Sequence, residues 1–148
     1  MPKKRITQDA QLLLQLDLLR NKAEMRKARL WWRDEFWPET AAGYLKIEMA
    51  HGTEESAWLR QVATYWGMAA SLVLDDTLKE KTFFEPAFSQ ELFTVFSKVR
   101  PFLKELRQRT NNPDYLANVE KVIFQSKGAR KRLQTEAKRL ASVRRNRP

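Results

Sequence analysis

The sequence predicts an all-α protein: an antiparallel bundle of four main helices plus one short helix, with a basic C-terminal helical tail. Apolar residues recur at helical spacing in five separate segments, and no segment alternates apolar and polar residues between turn signals as a half-buried strand would. Glycine and proline, at 4 and 6 of 148 residues, are too few for the many turns of an all-β chain. A chain of this length forms about one domain and can bury a core without a disulfide or a metal.

The first and longest helix is predicted from Thr7 to Phe36. Thr7 is a suitable N-cap, and Asp9 is favoured near the positive end of a helix. Two apolar stripes run along this segment, which indicates burial on two sides. Pro38 then prevents the helix from continuing.

A short second helix is predicted from Glu39 to Ala50, with Gly52 as its left-handed cap. Thr53 is then expected to cap a third helix that ends near Asp75 and Asp76. This third helix carries an aromatic-rich stripe and should lie in the core.

The remaining helices of the bundle follow a connector, residues 77–86, that holds one short helical turn. Ser89 is predicted to cap the fourth helix, and Pro101 to kink it, because the apolar stripe keeps its phase across the proline. Asn112, Pro113 and Asp114 have the cap, first-position and dipole preferences of a helix start, so the last helix of the bundle is predicted to begin there.

The net charge of +10 is concentrated at the two ends of the chain. Residues 127–148 contain nine basic side chains and one acid, Glu136, for a net +8, and Lys3, Lys4 and Arg5 add three more. All sixteen aromatic residues lie between Trp31 and Phe124. We therefore divide the chain into a basic arm (1–6), a nearly neutral helical bundle domain (7–126) and a basic tail (127–148) that is expected to protrude from it.

Composition excludes several function classes. The absence of cysteine excludes disulfide scaffolds, thiolate metal sites and cysteine nucleophiles. His51 is the single histidine, and its neighbours Glu54 and Glu55 are explained as dipole-stabilising residues of a helix start. No glycine-rich phosphate loop and no serine nucleophile elbow occur. We expect no catalytic residues, no metal and no cofactor, and therefore no enzyme.

The longest apolar run, residues 68–74, is far shorter than the roughly 20 residues that cross a bilayer. Gln15 and Asp17 interrupt the leucine-rich segment near the N-terminus, and no cleavage pattern for a signal peptide follows it. The sequence therefore favours a cytoplasmic protein with no membrane span.

The tail is the first candidate contact surface, because its charges could neutralise phosphates with an affinity that falls steeply as salt rises. It lacks aromatic residues, which argues against stacking on single-stranded bases. A solubilising terminus, an anionic lipid surface and an acidic protein remain the alternatives. The candidate anion or nucleic-acid contacts are Lys127, Arg130, Lys131, Arg132, Lys138, Arg139, Arg144 and Arg145.

Tryptophans form the second candidate surface, since clustered indoles serve either as core or as a pocket. Trp31 and Trp32 point about 100° apart on a helix, so one of them is expected to be partly exposed. The candidate partner or pocket aromatics are Trp31, Trp37 and Trp66.

Four segments resemble a family of uncharacterised bacterial all-helical domains of unknown function. They are AQLLLQLDLLRNKAEMRKAR, QVATYWGMAASLVL, RPFLKELR and NPDYLANVEKV, within residues 11–122. The resemblance implies a helical fold and no particular activity. Some relatives carry a membrane helix before this domain, whereas only PKKRI precedes it here, so no membrane attachment is expected.

The function expected from the sequence is that of a non-catalytic helical interaction module. A protein partner or self-association is one expectation, and nucleic-acid binding through the basic tail is the alternative. An enzyme or ligand carrier with a tryptophan-lined pocket is a third.

Overall fold

The computed structural model describes the backbone of residues 2–148 and the side chains of residues 8–148. All regular structure in this part of the chain is helical, which confirms the all-α class. The helices are α1 (Pro2–Arg20), α2 (Ala23–Asp34), α3 (Ala41–Glu48), α4 (Glu54–Leu74), α5 (Glu80–Phe83), α6 (Pro86–Val99), α7 (Leu103–Arg109), α8 (Ala117–Phe124) and α9 (Lys127–Arg145), with a 3-10 turn (Arg100–Phe102) between α6 and α7.

Helix α4 lies at the centre of the fold, where it packs against α2, α3 and α8. Its inward positions combine large side chains such as Trp66 with small ones such as Ala69 and Ala70, all of them buried. The small residues let neighbouring helices approach closely, and the large ones fill the space between them. Helix α6 forms a second layer that contacts α8 on one side and α9 on the other.

Several predicted helix boundaries are confirmed. Thr53 caps α4 by accepting a hydrogen bond from the backbone N–H of Ser56 (3.2 Å). The connector holds one short helix, α5, as predicted.

Gly52 has a φ of 91°, the left-handed conformation that favours glycine, but α3 ends at Glu48 with Met49 as its C-cap, so Gly52 does not cap that helix. The kink predicted at Pro101 is a break, because α6 ends at Val99 and α7 starts at Leu103 after the 3-10 turn.

The single helix predicted from Thr7 to Phe36 is wrong at its start and in its middle. Helix α1 already begins at Pro2, and the side chain of Thr7 lies outside the described residues, as do those of Lys3, Lys4 and Arg5.

The break in the middle separates α1 from α2 at Asn21 and Lys22. The side-chain amide of Asn21 donates to the carbonyl oxygen of Asp17 (2.8 Å), so it competes with the helical hydrogen-bond pattern at that end. Lys22 is extended, with a ψ of 148°. Two shorter helices therefore account for the two apolar stripes that the sequence shows.

Three further helix starts differ from the prediction. Helix α3 starts at Ala41 rather than at Glu39, and Thr40 caps it by accepting from the N–H of Gly43 (2.9 Å). Helix α6 begins at Pro86, and Ser89 lies buried inside it. The Asn112–Asp114 segment forms a turn closed by the Asn112 side chain, whose Oδ1 accepts from the N–H of Asp114 (3.2 Å), so α8 starts only at Ala117.

The basic tail does not protrude. Residues 127–145 form helix α9, capped by Ser126, whose side chain accepts from the N–H of Ala129 (3.2 Å). Helix α9 packs against α6 and α8, and Leu133 and Leu140 are buried in that contact. The narrow apolar stripe of the tail is therefore a packing face. The division of the chain at residues 6 and 126 stays a prediction.

Leu133→Ala should destabilise the protein by about 2–4 kcal/mol, because a fully buried leucine leaves a cavity when it is truncated. Urea unfolding measures the change. Leu14→Ala is the control, because Leu14 is 65% exposed on α1, and its effect should stay within about 0.5 kcal/mol. Equal effects of the two substitutions would contradict a docked α9.

Candidate functional site

Helix α9 divides its side chains between two faces. The inner face carries Ala129, Leu133, Glu136 and Leu140, all buried and spaced as one side of a helix. Glu136 is 3% exposed, and both its carboxylate oxygens are occupied. Arg139 donates to them through Nε and Nη2 (2.7 and 2.9 Å), and the hydroxyl of Thr94 on α6 donates as well.

Three of the eight tail residues predicted to contact an anion have partners within the protein. Arg132 donates to the carbonyl oxygen of Phe84 (2.7 Å) and lies over the ring of Phe93 (4.3 Å). Arg139 is paired with Glu136, and Arg144 lies over the ring of Trp37 (5.6 Å). Arg132 and Arg144 thus contact segments outside α9, and Arg139 fixes the carboxylate of Glu136 within α9. The sequence analysis did not foresee these contacts.

The other five predicted contacts lie on the outer side of α9. They are Lys127, Arg130, Lys131, Lys138 and Arg145, all exposed. Among residues 8–148, no carboxylate forms an ion pair with any of them. We call Lys127, Lys131, Lys138 and Arg145 the outer stripe, because their spacing places them on one helix face over roughly 27 Å.

The end of α9 covers a cluster built around Lys98. This lysine is 1% exposed, and its Nζ donates to the carbonyl oxygens of Trp32, Arg33 (3.3 Å) and Phe36 (2.9 Å) at the end of α2. The last carbonyls of a helix have no partners within it, and a cation is favoured beside them. Lys98 therefore ties α6 to the C-terminus of α2.

Trp37 forms one wall of the same cluster. The Lys98 Nζ lies 3.9 Å from the centre of its ring, and the guanidinium of Arg147 lies 4.9 Å from it. The indole N–H of Trp37 donates to the carbonyl oxygen of Asp34 (3.1 Å). Trp37 thus serves as a packing surface for cations from α6 and from the end of α9.

The charge of Lys98 is disfavoured where it sits. Burial, with the nearby positive charges of Arg144 and Arg147, lowers the pKa of Lys98 to about 7, while Asp34 acts in the opposite direction. The three carbonyl acceptors are all used only when Nζ carries three protons. The cluster therefore changes its hydrogen bonding within the physiological pH range.

The other two candidate aromatics are buried. Trp31 stacks on Phe36 with ring centres 4.5 Å apart, and the indole N–H of Trp66 donates to Oε1 of Glu91 (2.8 Å). The expected partial exposure of Trp31 or Trp32 is wrong, because α2 is covered on more than one side and both indoles are enclosed. Of the three candidate aromatics, Trp37 alone is partly exposed to solvent.

A cleft between α2, α6 and α9 was missed by sequence reasoning. It has a volume of about 440 Å³ and is lined by Arg26, Arg29 and Arg33 from α2, with Trp32 beside them and Arg139 from α9 opposite. The signal was present in the sequence, because positions 26, 29 and 33 share one face of a helix. This pattern of three arginines was overlooked because the basic residues of the tail are more numerous and more closely spaced.

Neither a metal centre nor a membrane span is found within the described residues. No three side chains of the metal-ligating types come together there. None of the helices of this part of the chain combines the length and the apolar character that crossing a bilayer requires.

A family model described as "Domain of unknown function (DUF4760)" matches residues 5–125. Because the match covers most of the chain, the chain belongs to this family, which confirms the resemblance drawn from its sequence segments. Helix α9 lies beyond the matched segment. Comparison with curated proteins and with solved structures finds no match.

The free energy of unfolding should rise by about 2 kcal/mol between pH 7 and pH 9 because of Lys98. The unfolded lysine keeps its proton up to a pKa of about 10.4, whereas the folded one loses it near 7, so the unfolded state binds more protons in this window. Stability therefore increases with pH there, and this contribution is constant below about pH 6.

Urea unfolding at several pH values measures this slope. Lys98→Gln should remove most of the rise, whatever its effect on the absolute stability. Lys104→Gln, at an exposed lysine on α7, should leave the rise intact. A slope that Lys98→Gln does not change would show that Lys98 stays protonated throughout.

Proposed function

We propose that the protein is a non-catalytic helical interaction module, and that it contacts its partner through the outer stripe of α9. The observation that carries the proposal is the division of α9 into a packed inner face and an unpaired basic outer face. In this proposal the antiparallel bundle predicted from the sequence is the scaffold that holds the basic helix rigid.

The buried ionisable groups Lys98 and Glu136 connect helices, and this structural role supports an interaction module rather than an enzyme. Lys98 caps a helix, and Glu136 pairs with Arg139 and Thr94. Each of these groups joins two helices: Lys98 joins α6 to the end of α2, and Glu136 joins α9 to α6.

Nucleic acid is the partner that the outer stripe favours. Three of its four members are lysines, which act as mobile point charges suited to phosphate groups. No tryptophan, tyrosine or phenylalanine lies on α9. The chemistry is therefore that of backbone neutralisation on a duplex or structured strand rather than of base stacking.

An apolar contact with protein is the second candidate, and α1 supports it. Leu14 and Leu18 lie one turn apart on α1 and are 65% and 68% exposed. Neighbouring exposed leucines on a helix suit another helix or a second copy of the chain.

Replacing the four residues of the outer stripe by glutamine should abolish most salt-dependent binding to nucleic acid. Each phosphate contact contributes about −0.9 to the log–log slope of affinity against salt on duplex DNA, so losing four contacts should reduce the slope by about 3–4. Fluorescence anisotropy with a 20-base-pair DNA and a matched RNA duplex, at four salt concentrations, measures it.

The matched control removes the same charge elsewhere, with Lys46, Lys81, Lys104 and Lys121 changed to glutamine. These lysines are exposed and lie off α9. Substitution is preferable to removing the tail, because truncation after Ser126 would uncover the face of α6 that Leu133 packs on. Equal slopes for the two quadruple variants would contradict binding through the outer stripe.

A further inference from the structure

The cleft between α2, α6 and α9 has the size of a small-molecule site. Its volume of about 440 Å³ lies within the range in which proteins hold small ligands. Gln90, Glu91, Thr94 and Val95 of α6 form one wall, and α2 forms the other. The outer stripe lies on a different face of α9, so the cleft does not belong to that surface.

Three arginines of the cleft are fixed by partners. Arg29 donates to Glu91 (2.7 Å), Arg33 to Asp34 (2.8 Å) and Arg139 to Glu136 (2.7 Å). Each of the three keeps one terminal nitrogen for which residues 8–148 supply no acceptor. Arg29, whose pair with Glu91 is partly buried, is thus held at the cleft with a donor to spare and loses little side-chain entropy when an anion binds. Arg33 and Arg139 are more exposed and supply further donors at its edge.

The carboxylate that lines the cleft does not oppose an anion strongly. Oε2 of Glu91 accepts from Arg29 and Oε1 accepts from the indole N–H of Trp66, so both oxygens are engaged. Arg26 is exposed at the rim, and no carboxylate of the described side chains pairs with it. The unpaired charge of Arg26 gives the cleft a net positive charge.

The rest of the lining is apolar. Leu30 is 50% exposed there, and Val95 and the ring of Trp32 complete the apolar lining. The indole nitrogen of Trp32 is buried and has no hydrogen-bond acceptor among the described residues. An unpaired buried N–H costs about 1–3 kcal/mol, so this nitrogen is a polar feature beside the cleft that the protein leaves without a partner among the described residues.

We propose that this cleft binds a small organic anion with an apolar body, such as a carboxylate on a short acyl chain. The negative head group pairs with Arg26 and with the spare donors of the fixed arginines. The apolar body covers Leu30, Val95 and Trp32. This ligand differs from a phosphate backbone in its apolar body and its small size.

Isothermal titration of the full chain with octanoate tests the proposal, with octan-1-ol as the uncharged probe of the same length. Octanoate should bind saturably at one site, and octan-1-ol should bind up to about fivefold more weakly, because an exposed ion pair contributes up to about 1 kcal/mol. Equal affinity for the two probes, or no saturable octanoate binding, would overturn the proposal.

Substitutions then place the binding in the cleft. Arg26→Gln should weaken octanoate binding by about two- to fivefold. Arg130→Gln, which removes an unpaired exposed arginine outside the cleft, should not change it. Leu30→Ser should also weaken binding, whereas Leu18→Ser on α1 should not. Both Arg26 and Leu30 are exposed, so these variants are expected to fold.

The indole resonances provide an independent readout. In a ¹H–¹⁵N spectrum, the Nε1–H signal of Trp32, assigned by its loss in Trp32→Phe, should shift on addition of octanoate and not of octan-1-ol. If octanoate instead binds only to the basic residues of α9, none of the indole signals should shift. The outer-stripe substitutions should then abolish octanoate binding. That outcome would reject the cleft while leaving nucleic-acid binding by α9 intact.

Discussion

The docking of α9 on α6 is the contact on which the surface properties of the protein depend. Its centre is a buried carboxylate, Glu136, joined to Thr94 of α6 and to Arg139 of α9 itself. A buried charge is tolerated only when its hydrogen-bonding capacity is filled, so this arrangement fixes the rotation of α9 about its axis. With the rotation fixed, Leu133 and Leu140 face the core, and the lysines of the outer stripe lie on the opposite face, exposed to solvent.

The same docking builds the positive region at the end of α2. The Nζ of Lys98 donates to backbone carbonyl oxygens and not to a carboxylate, so its hydrogen bonds do not cancel its positive charge. Arg144 and Arg147 add charge around Trp37, and Arg139 closes the neighbouring cleft. One helix thus contributes cations to three places: the outer stripe, the Lys98 cluster and the cleft.

Local signals in the sequence predicted part of this structure. Thr53 marks its helix boundary because capping is decided by the residue itself and its nearest neighbours. Asn112 was misread, and the break at Asn21 was not predicted, because an asparagine side chain has several backbone partners within reach and tertiary packing selects among them. Arg20, for example, reaches from the break after α1 to the carbonyl oxygen of Phe88 (2.7 Å), a contact that no local pattern contains.

The surfaces were harder to predict than the helices for a physical reason. The number of basic residues in the tail is visible in the sequence, but which of them are already paired depends on contacts between distant segments. Arg132 and Lys131 are adjacent basic residues in the sequence. In the structure, Arg132 donates to the carbonyl oxygen of Phe84 and lies over the ring of Phe93, whereas Lys131 is exposed. The arginines of α2 acquire a role only because α6 and α9 stand opposite them.

Native-state hydrogen exchange of the α9 amides tests the central claim most directly. If α9 is part of the packed structure, the amides of Leu133, Glu136 and Leu140 should exchange at least about a thousandfold more slowly than in an unfolded chain, with protection approaching that of Leu92 and Phe96 in α6. Exchange of the α9 amides at nearly unfolded rates, with α6 still protected, would show that the basic segment is an undocked tail and would contradict the account.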